Sequence, residues 1–303
     1  MIVVAGEALI DLVPQGPADA GLPALAPRLG GGPYNTAIAL GRLGSPVSFC
    51  SRISTDAFGD ALTDALRAAG VEVSYVQRGA EPTTLAVASI GEDGSAGYSF
   101  YVEGTADRLF TAPERLPDAV RAVSFGTCSL VLEPGASAYE ELMHRESARG
   151  VFTALDPNIR AGLIPDADAY RARFKSWLPS VSLLKLSDDD ASWLGGTPRE
   201  WLASGPGAVV VTRGGDGLTV FTRDGGEWSV PGKAVDVVDT IGAGDTVNAA
   251  LLHGLRARDA LSVDALATLG ADSWGEVLRF AARAAAVTVS RAGAEPPYAE
   301  ELE

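Results

Sequence analysis

Cysteine, histidine and lysine are all scarce in this chain. Its cysteines are Cys50 and Cys128, its histidines His144 and His253, its lysines Lys175, Lys185 and Lys233. Neither cysteine has metal-ligand spacing, and no small-domain disulfide pattern is present. Both lie in apolar surroundings and are expected in the core as thiols. The histidines fall in helix-like segments without a partner motif, which argues against a histidine-centred active site. Positive charge is short as well: 39 acidic residues face 24 basic ones, for a net charge of −15. A nucleic-acid partner is not expected, because such proteins carry a basic face. A phosphate-bearing ligand stays open, since a local Arg or Lys, backbone donors or a metal ion can reverse the field within one cleft. No apolar run reaches the ~20 residues that span a bilayer. The N-terminus also lacks a basic segment followed by an apolar run and a cleavage site. The expectation is a cytoplasmic protein without a membrane partner.

Several chemical signatures are missing too. There is no Gly-x-x-x-x-Gly-Lys-Ser/Thr loop, and no Gly-x-Gly-x-x-Gly directly after the first strand. A Gly-x-Ser-x-Gly elbow is also absent. Phosphate-loop, hydride-transfer and elbow-type hydrolase readings lose their main support.

What is present is a strand–helix rhythm over 303 residues, 47% of them hydrophobic. Strands are expected at 2–5, 9–13, 47–51, 120–125, 151–155, 181–184 and 208–212. Helices are expected at 35–43, 58–69, 136–149, 168–178, 188–194, 243–254 and 274–287. Repeated units of this kind favour an α/β fold with a mostly parallel sheet between helices. Residues 14–28, rich in Pro, Gly and Ala, read as an irregular crossing segment. Residues 84–90 and 96–102 read as a hairpin turning at 91–94, half polar and suited to cover a cleft. A second hairpin is expected at 219–221 and 227–230.

The most informative stretch is Asp-Thr-Ile-Gly-Ala-Gly-Asp at 239–245. The apolar-rich segment 235–238 reads as a buried strand leading into it, and an apolar helix follows. Small residues at a helix start leave backbone N–H groups free to hold an anion. Asp245 sets a carboxylate beside them. The combination suits an oxyanion site next to a general base, although a glycine-rich turn with surface aspartates would read similarly.

This segment closely resembles the C-terminal signature of the ribokinase-like, or PfkB, carbohydrate kinases. Gly31-Gly32-Pro33-Tyr34-Asn35-Thr36-Ala37 matches the N-terminal signature of the same family. Asp56-Ala57-Phe58-Gly59, the run Val211–Gly217 and Arg291-Ala292-Gly293-Ala294 resemble further family segments, in family order. Gly6–Asp11 and Phe100–Asp107 are most similar to bacterial fructokinases. The resemblance implies a ribokinase-like three-layer α/β/α sandwich as one domain over 1–303. A small β-rich lid would come from two separate segments, about 12–30 and 84–107.

It also implies phosphoryl transfer from ATP to a sugar hydroxyl. Asp245 would take the hydroxyl proton, while Gly242, Ala243 and Gly244 stabilise the transferring group. Asp11, Gly31, Gly32 and Asn35 would bind the sugar, with Phe100 and Tyr101 on its apolar faces. Asn35 also suits a helix cap, and the two aromatics could equally be hairpin packing, with alternation along the strand allowing only one of them to face the ligand. Lys185, Thr212, Arg213, Gly215 and Gly217 fall on the nucleotide side. Arg213 suits a phosphate contact or a surface salt bridge. Asp190 would organise Mg²⁺ through water, or simply belong to an acidic helix start. Asp239, Ile241, Val289, Ala292 and Ala294 would hold K⁺, mostly through backbone carbonyls. Ser54 and Val102 depart from the family pattern, which commonly has Gly at the first position and, in fructokinases, Arg at the second.

The expected reaction is ATP-dependent conversion of D-fructose to fructose 6-phosphate. 2-Keto-3-deoxygluconate kinase, then a ribose or nucleoside kinase, are the enzymatic alternatives. A non-catalytic sugar- or nucleotide-binding protein is the alternative of another class. Open sheet edges on the lid invite a second copy, so a homodimer is expected.

Overall fold

The structure, a computed structural model, describes residues 1–19, 22–90 and 96–303. The expected turn at 91–94 lies outside these residues.

Nine strands form the main sheet. Their order is β13 (Glu227–Val230), β12 (Leu218–Thr222), β11 (Ala208–Thr212), β10 (Leu183–Ser187), β9 (Phe152–Asp156), β8 (Ala122–Gly126), β1 (Ile2–Ala5), β4 (Val47–Ser54) and β5 (Glu72–Gly79). The strands from β11 to β5 pair in parallel, and β12 and β13 add an antiparallel edge. β1 is buried along its whole length, as a central parallel strand covered on both faces must be.

Side-chain alternation feeds two separate cores. Ile2 and Val4 join Phe152 and Val210 under α1 (Gly32–Arg42), α2 (Ala57–Ala68), α7 (Ala243–Ala257), α8 (Val263–Thr268) and α9 (Ala271–Val289). Val3, Ala5 and Val209 join the opposite core with Leu142 of α3 (Gly135–Ala148), Phe174 and Trp177 of α4 (Ala167–Trp177), Leu194 of α5 (Asp188–Leu194) and Trp201 of α6 (Pro198–Ser204). The expected three layers are therefore present.

A second sheet of four strands has the order β3 (Leu22–Gly30), β2 (Leu9–Asp19), β6 (Leu85–Ile90), β7 (Ala96–Tyr101). It corrects the irregular reading of 14–28. Proline and glycine hide the strand signal there, but antiparallel pairing of β2 with β3 supplies the missing order. Strand β5 and helices α6 and α8 went unassigned from sequence. For α6 a signal existed: Thr197 and Glu200 form a capping box. The segment 235–238 is not a buried strand. Val237 and Val238 are exposed at 64% and 62%, and no ladder includes them.

Asp56 joins the two sheets. It caps α2 through Gly59 N at 2.8 Å and accepts from Thr83 N at 2.9 Å and Thr83 Oγ1 at 2.7 Å, just before β6. The Ser54 departure is absorbed locally, because its hydroxyl accepts from Asp56 N at 3.0 Å. No helix among the described residues is long and apolar enough to cross a membrane.

Candidate active site

The C-terminal ends of the parallel strands, the start of α7 and the small sheet enclose a cavity of about 200 Å³. Such crevices at strand ends are where open α/β sheets bind ligands. Asp11, Gly31, Gly32, Asn35, Phe100, Ile241, Gly242, Gly244 and Asp245 all line it. Residues drawn from both ends of the chain thus meet in one place.

Asp245 stands in the first turn of α7 and is 7% exposed. Asn35 Nδ2 donates to its Oδ2 at 2.9 Å. Burial pushes the Asp245 carboxyl up to about 6, with the Asp156 charge adding to the rise and the Asn35 hydrogen bond opposing it. A carboxylate in that range is a competent base near neutral pH. The helix starts at Gly242, which adopts φ +76° as its N-cap. A Cβ there would stand 2.6 Å from Ala294 Cβ, so only glycine fits.

Gly32 is small for a chemical reason. A Cβ would lie 2.5 Å from Thr127 Oγ1 and 3.2 Å from Asp245 Oδ1. The missing side chain keeps the base open to the cavity. Asp11 comes from β2, and a Cβ on Gly30 would collide with its Oδ2 at 2.1 Å. Burial pushes Asp11 up to about 6, against the pull of Arg160.

The pleat of β7 separates the two expected aromatics. Phe100 faces the cavity with Tyr98, the rings 6.1 Å apart and stacked. Tyr101 points away and is 63% exposed, so its expected sugar contact is corrected.

Sequence reasoning missed Tyr98, Thr127, Asn158 and Arg160, which also line the cavity. Asn158 Nδ2 donates to Thr127 Oγ1 at 3.2 Å, and both residues hold positive φ, at 40° and 61°. Strained non-glycine backbone of this kind gathers at functional sites. Arg160 anchors on Asn158, with Nη1 donating to Oδ1 at 2.8 Å. It is the only basic side chain on the described lining. The Asp156-Pro157-Asn158 strand end was the available signal.

Several nucleotide and metal expectations change. Lys185 is buried and paired with Asp156 Oδ2 at 2.7 Å. Burial opposes its charge, but Asp156, Asp245 and Asp190 together outweigh that and hold the ammonium charged. A Cβ on Gly244 would stand 3.0 Å from its Nζ, so Lys185 supports the α7 turn from below. Asp190 is committed elsewhere. Its Oδ2 accepts from Ser187 N at 3.0 Å and Ser187 Oγ at 2.8 Å, and its Oδ1 accepts from Ile159 N at 2.7 Å. That makes it the N3 member of the capping box led by Ser187, and a tie for the 157–160 loop. Arg213 bonds Thr219 Oγ1 at 2.6 Å and lies 3.3 Å from Asp188 Oδ2, the salt-bridge option. Thr212 ends β11 beside it. Gly217, at φ +102°, allows the Val230 carbonyl to approach where a Cβ would sit 2.1 Å away. A Cβ on Gly215 would meet open space.

Asp239 closes the turn. Its Oδ1 accepts from Ile241 N at 3.0 Å and its Oδ2 from Gly293 N at 2.8 Å. Val289 O already accepts from Val238 N at 2.8 Å and Asp239 N at 3.2 Å. Among the described residues, no group of three or more His, Cys, Asp or Glu forms a metal site.

Cys50 is a buried core thiol, whereas Cys128 is buried and also lines the cavity. His144 and His253 bond Ser180 and Ser45, away from it.

Known proteins share this architecture. The pattern of the pfkB family carbohydrate kinases matches residues 1–301. A fructokinase of Rhizobium leguminosarum bv. trifolii is 39% identical over 277 residues, covering 89% of this chain and 84% of the relative. Fructokinase-2 of Oryza sativa subsp. japonica is 33% identical over 313 residues, covering 98% and 90%. The crystal structure of a fructokinase with bound ATP from Xylella fastidiosa superposes with TM-score 0.88 at 30% identity, covering 99% of this chain and 97% of that one. The chain belongs to the pfkB family of carbohydrate kinases and is an ATP-dependent sugar kinase.

Proposed function

We propose that the protein transfers the γ-phosphoryl group of ATP to the 6-hydroxyl of D-fructose. The observation that carries this reading is Asp245, a buried carboxylate at a helix N-terminus, facing a cavity walled by Asp11 and Phe100. Asp245 takes the proton of the sugar hydroxyl. The sugar oxygen bonds to the γ-phosphorus as the bond to the bridging oxygen breaks, and ADP leaves. Phosphoryl transfer needs alignment and charge neutralisation, which the backbone N–H groups of Gly242 and Gly244 would supply from fixed positions, with Ala243 N donating to Thr240 O at 3.3 Å.

The acceptor is held by hydrogen bonds to Asp11, a task for which a carboxylate accepts from adjacent hydroxyls. Tyr98 and Phe100 cover it and exclude water. The charge balance of the lining favours a neutral sugar. Asp11 and Asp245 stand there against Arg160 alone, with Glu7 held up to about 7 by burial. 2-Keto-3-deoxygluconate, with its carboxylate, is disfavoured on that ground. The 39% identical fructokinase supports the same choice.

Mg²⁺ would neutralise charge on the nucleotide phosphates. With Asp190 committed to Ser187 and Ile159, the ion would arrive on the nucleotide and not in a carboxylate cage. The family resemblance alone carries the K⁺ expectation: the carbonyls of Ile241, Ala292 and Ala294 would hold the ion, beside an Asp239 carboxylate that already accepts from Ile241 N and Gly293 N. Val289 O is less suited, since it receives two amides. The lid sheet leaves Leu25 and Tyr101 exposed at 40% and 63%, a surface that a second copy would cover in a dimer. A cytoplasmic location fits this reading.

A panel of fructose, 2-keto-3-deoxygluconate, ribose, tagatose and adenosine with ATP, Mg²⁺ and K⁺ tests the proposal. Fructose is expected to give the highest kcat/KM. Equal turnover across the panel would defeat the fructose assignment.

A further inference from the structure

Helix α1 grips the catalytic turn twice. Asn35, in its first turn, bonds Asp245 directly. Arg42, its last residue, reaches the loop that backs the same turn. Arg42 Nη1 donates to Glu295 Oε2 at 2.8 Å and to Pro296 O at 2.7 Å, and its guanidinium lies 4.9 Å from the Tyr298 ring centroid. Three contacts thus converge from one side chain, two of them charge-assisted hydrogen bonds and one cation–π.

The loop needs this grip. A cavity of about 300 Å³ lies between β3, α1, α2 and residues 292–298. Close packing therefore does not seal the loop to the helix, and Arg42 spans the gap. From the loop the contact passes directly to the anion-binding turn. Glu295 N donates to Gly293 O at 2.9 Å, and Gly293 N donates to Asp239 Oδ2 at 2.8 Å. Ala294 packs where a Cβ of Gly242 would stand, 2.6 Å away.

We infer that Arg42 is a positioning residue for phosphoryl transfer: it braces the 292–298 loop so that Ala294 and Gly293 fix Gly242 and Asp239. The inference rests on the phosphoryl-transfer reading for its kinetic consequence, but the brace itself is structural and separately measurable. Arg42 lines no part of the acceptor cavity. The turn it braces also borders that cavity, but its assigned task is to hold the transferring phosphoryl group, so the loss of Arg42 should fall on ATP far more than on the sugar.

Hydrogen exchange and kinetics on Arg42→Ala and Arg42→Lys form the test. Arg42→Ala is expected to speed amide exchange at 239–244 and to raise KM for ATP by about tenfold, the scale of one lost charged contact. KM for the sugar should stay within about twofold. Arg42→Lys should recover part of the loss, because an ammonium keeps one contact and forfeits the planar fork. If Arg42→Ala does not fold, Glu295→Gln should show the same pattern at smaller size. Unchanged exchange at 239–244, or equal losses for ATP and sugar, would overturn the inference. Faster exchange in a protein that phosphorylates no sugar would uphold the brace and reject the assigned reaction.

Discussion

Asn35 Nδ2 donates to Asp245 Oδ2 at 2.9 Å, joining residues 210 positions apart. The bond occupies one carboxylate oxygen and leaves Oδ1 toward Gly32 and the cavity. Asn35→Leu should therefore lower kcat by about tenfold to a hundredfold, through loss of orientation. Steady-state kinetics with ATP and fructose check this, and an unchanged kcat would remove Asn35 from the site.

Asp245 must be ionised to accept a proton. Burial holds its carboxyl up at about 6, and Asp11 is lifted to the same range by burial. The rate constant kcat/KM is expected to be level above pH 7 and to fall about tenfold per pH unit below pH 6, or more steeply if both groups count. A profile measured between pH 5 and pH 8 tests this. A flat profile to pH 5 contradicts the assignment.

The same shift has a stability consequence. A rise from 3.8 to about 6 means that ionised Asp245 destabilises the fold by roughly 3 kcal/mol above pH 6. The penalty fades as pH falls and vanishes below about pH 4, where folded and unfolded chains both bind the proton. Asp245→Asn should accordingly unfold at a higher denaturant concentration than wild type near pH 8, with the two converging near pH 4. A variant less stable at pH 8 would contradict the burial argument.

Legibility in the sequence followed chemistry and periodicity. The central strands and long helices announced themselves by apolar runs, and 239–245 by its glycines and its aspartate. The part of β2 beyond the expected strand at 9–13 did not, because Pro14 and the residues after it carry no alternating pattern. Its order comes from β3, a long-range partner. Alternation allowed only one of Phe100 and Tyr101 to face the ligand, and the register of β7 shows that it is Phe100. Asp190 and Lys185 occupy family positions, yet their partners Ile159 and Asp156 come from another strand end. Arg160 went unread because its neighbourhood with Asp11 exists only in the fold.

The β7 pleat gives a paired prediction. Phe100→Ala should raise KM for the sugar about tenfold, since an aromatic face is lost from the cavity. Tyr101→Ala should change it by less than about twofold. Comparable effects from both would mean that the strand presents a different face.

Asp190 provides a test of structural against metal roles. Asp190→Ala removes the acceptor for Ser187 and Ile159 and should lower stability by about 2 kcal/mol. Its Mg²⁺ requirement should match wild type. A selective rise in the Mg²⁺ concentration needed for activity, without lost stability, would restore the metal role.

Asp245→Asn tests the central claim most directly. The substitution keeps the shape and leaves an acceptor for Asn35, but removes the base. Turnover of fructose with ATP is expected to fall about 1,000-fold, while calorimetry shows fructose and ADP still binding. Wild-type ADP production by Asp245→Asn would contradict the account.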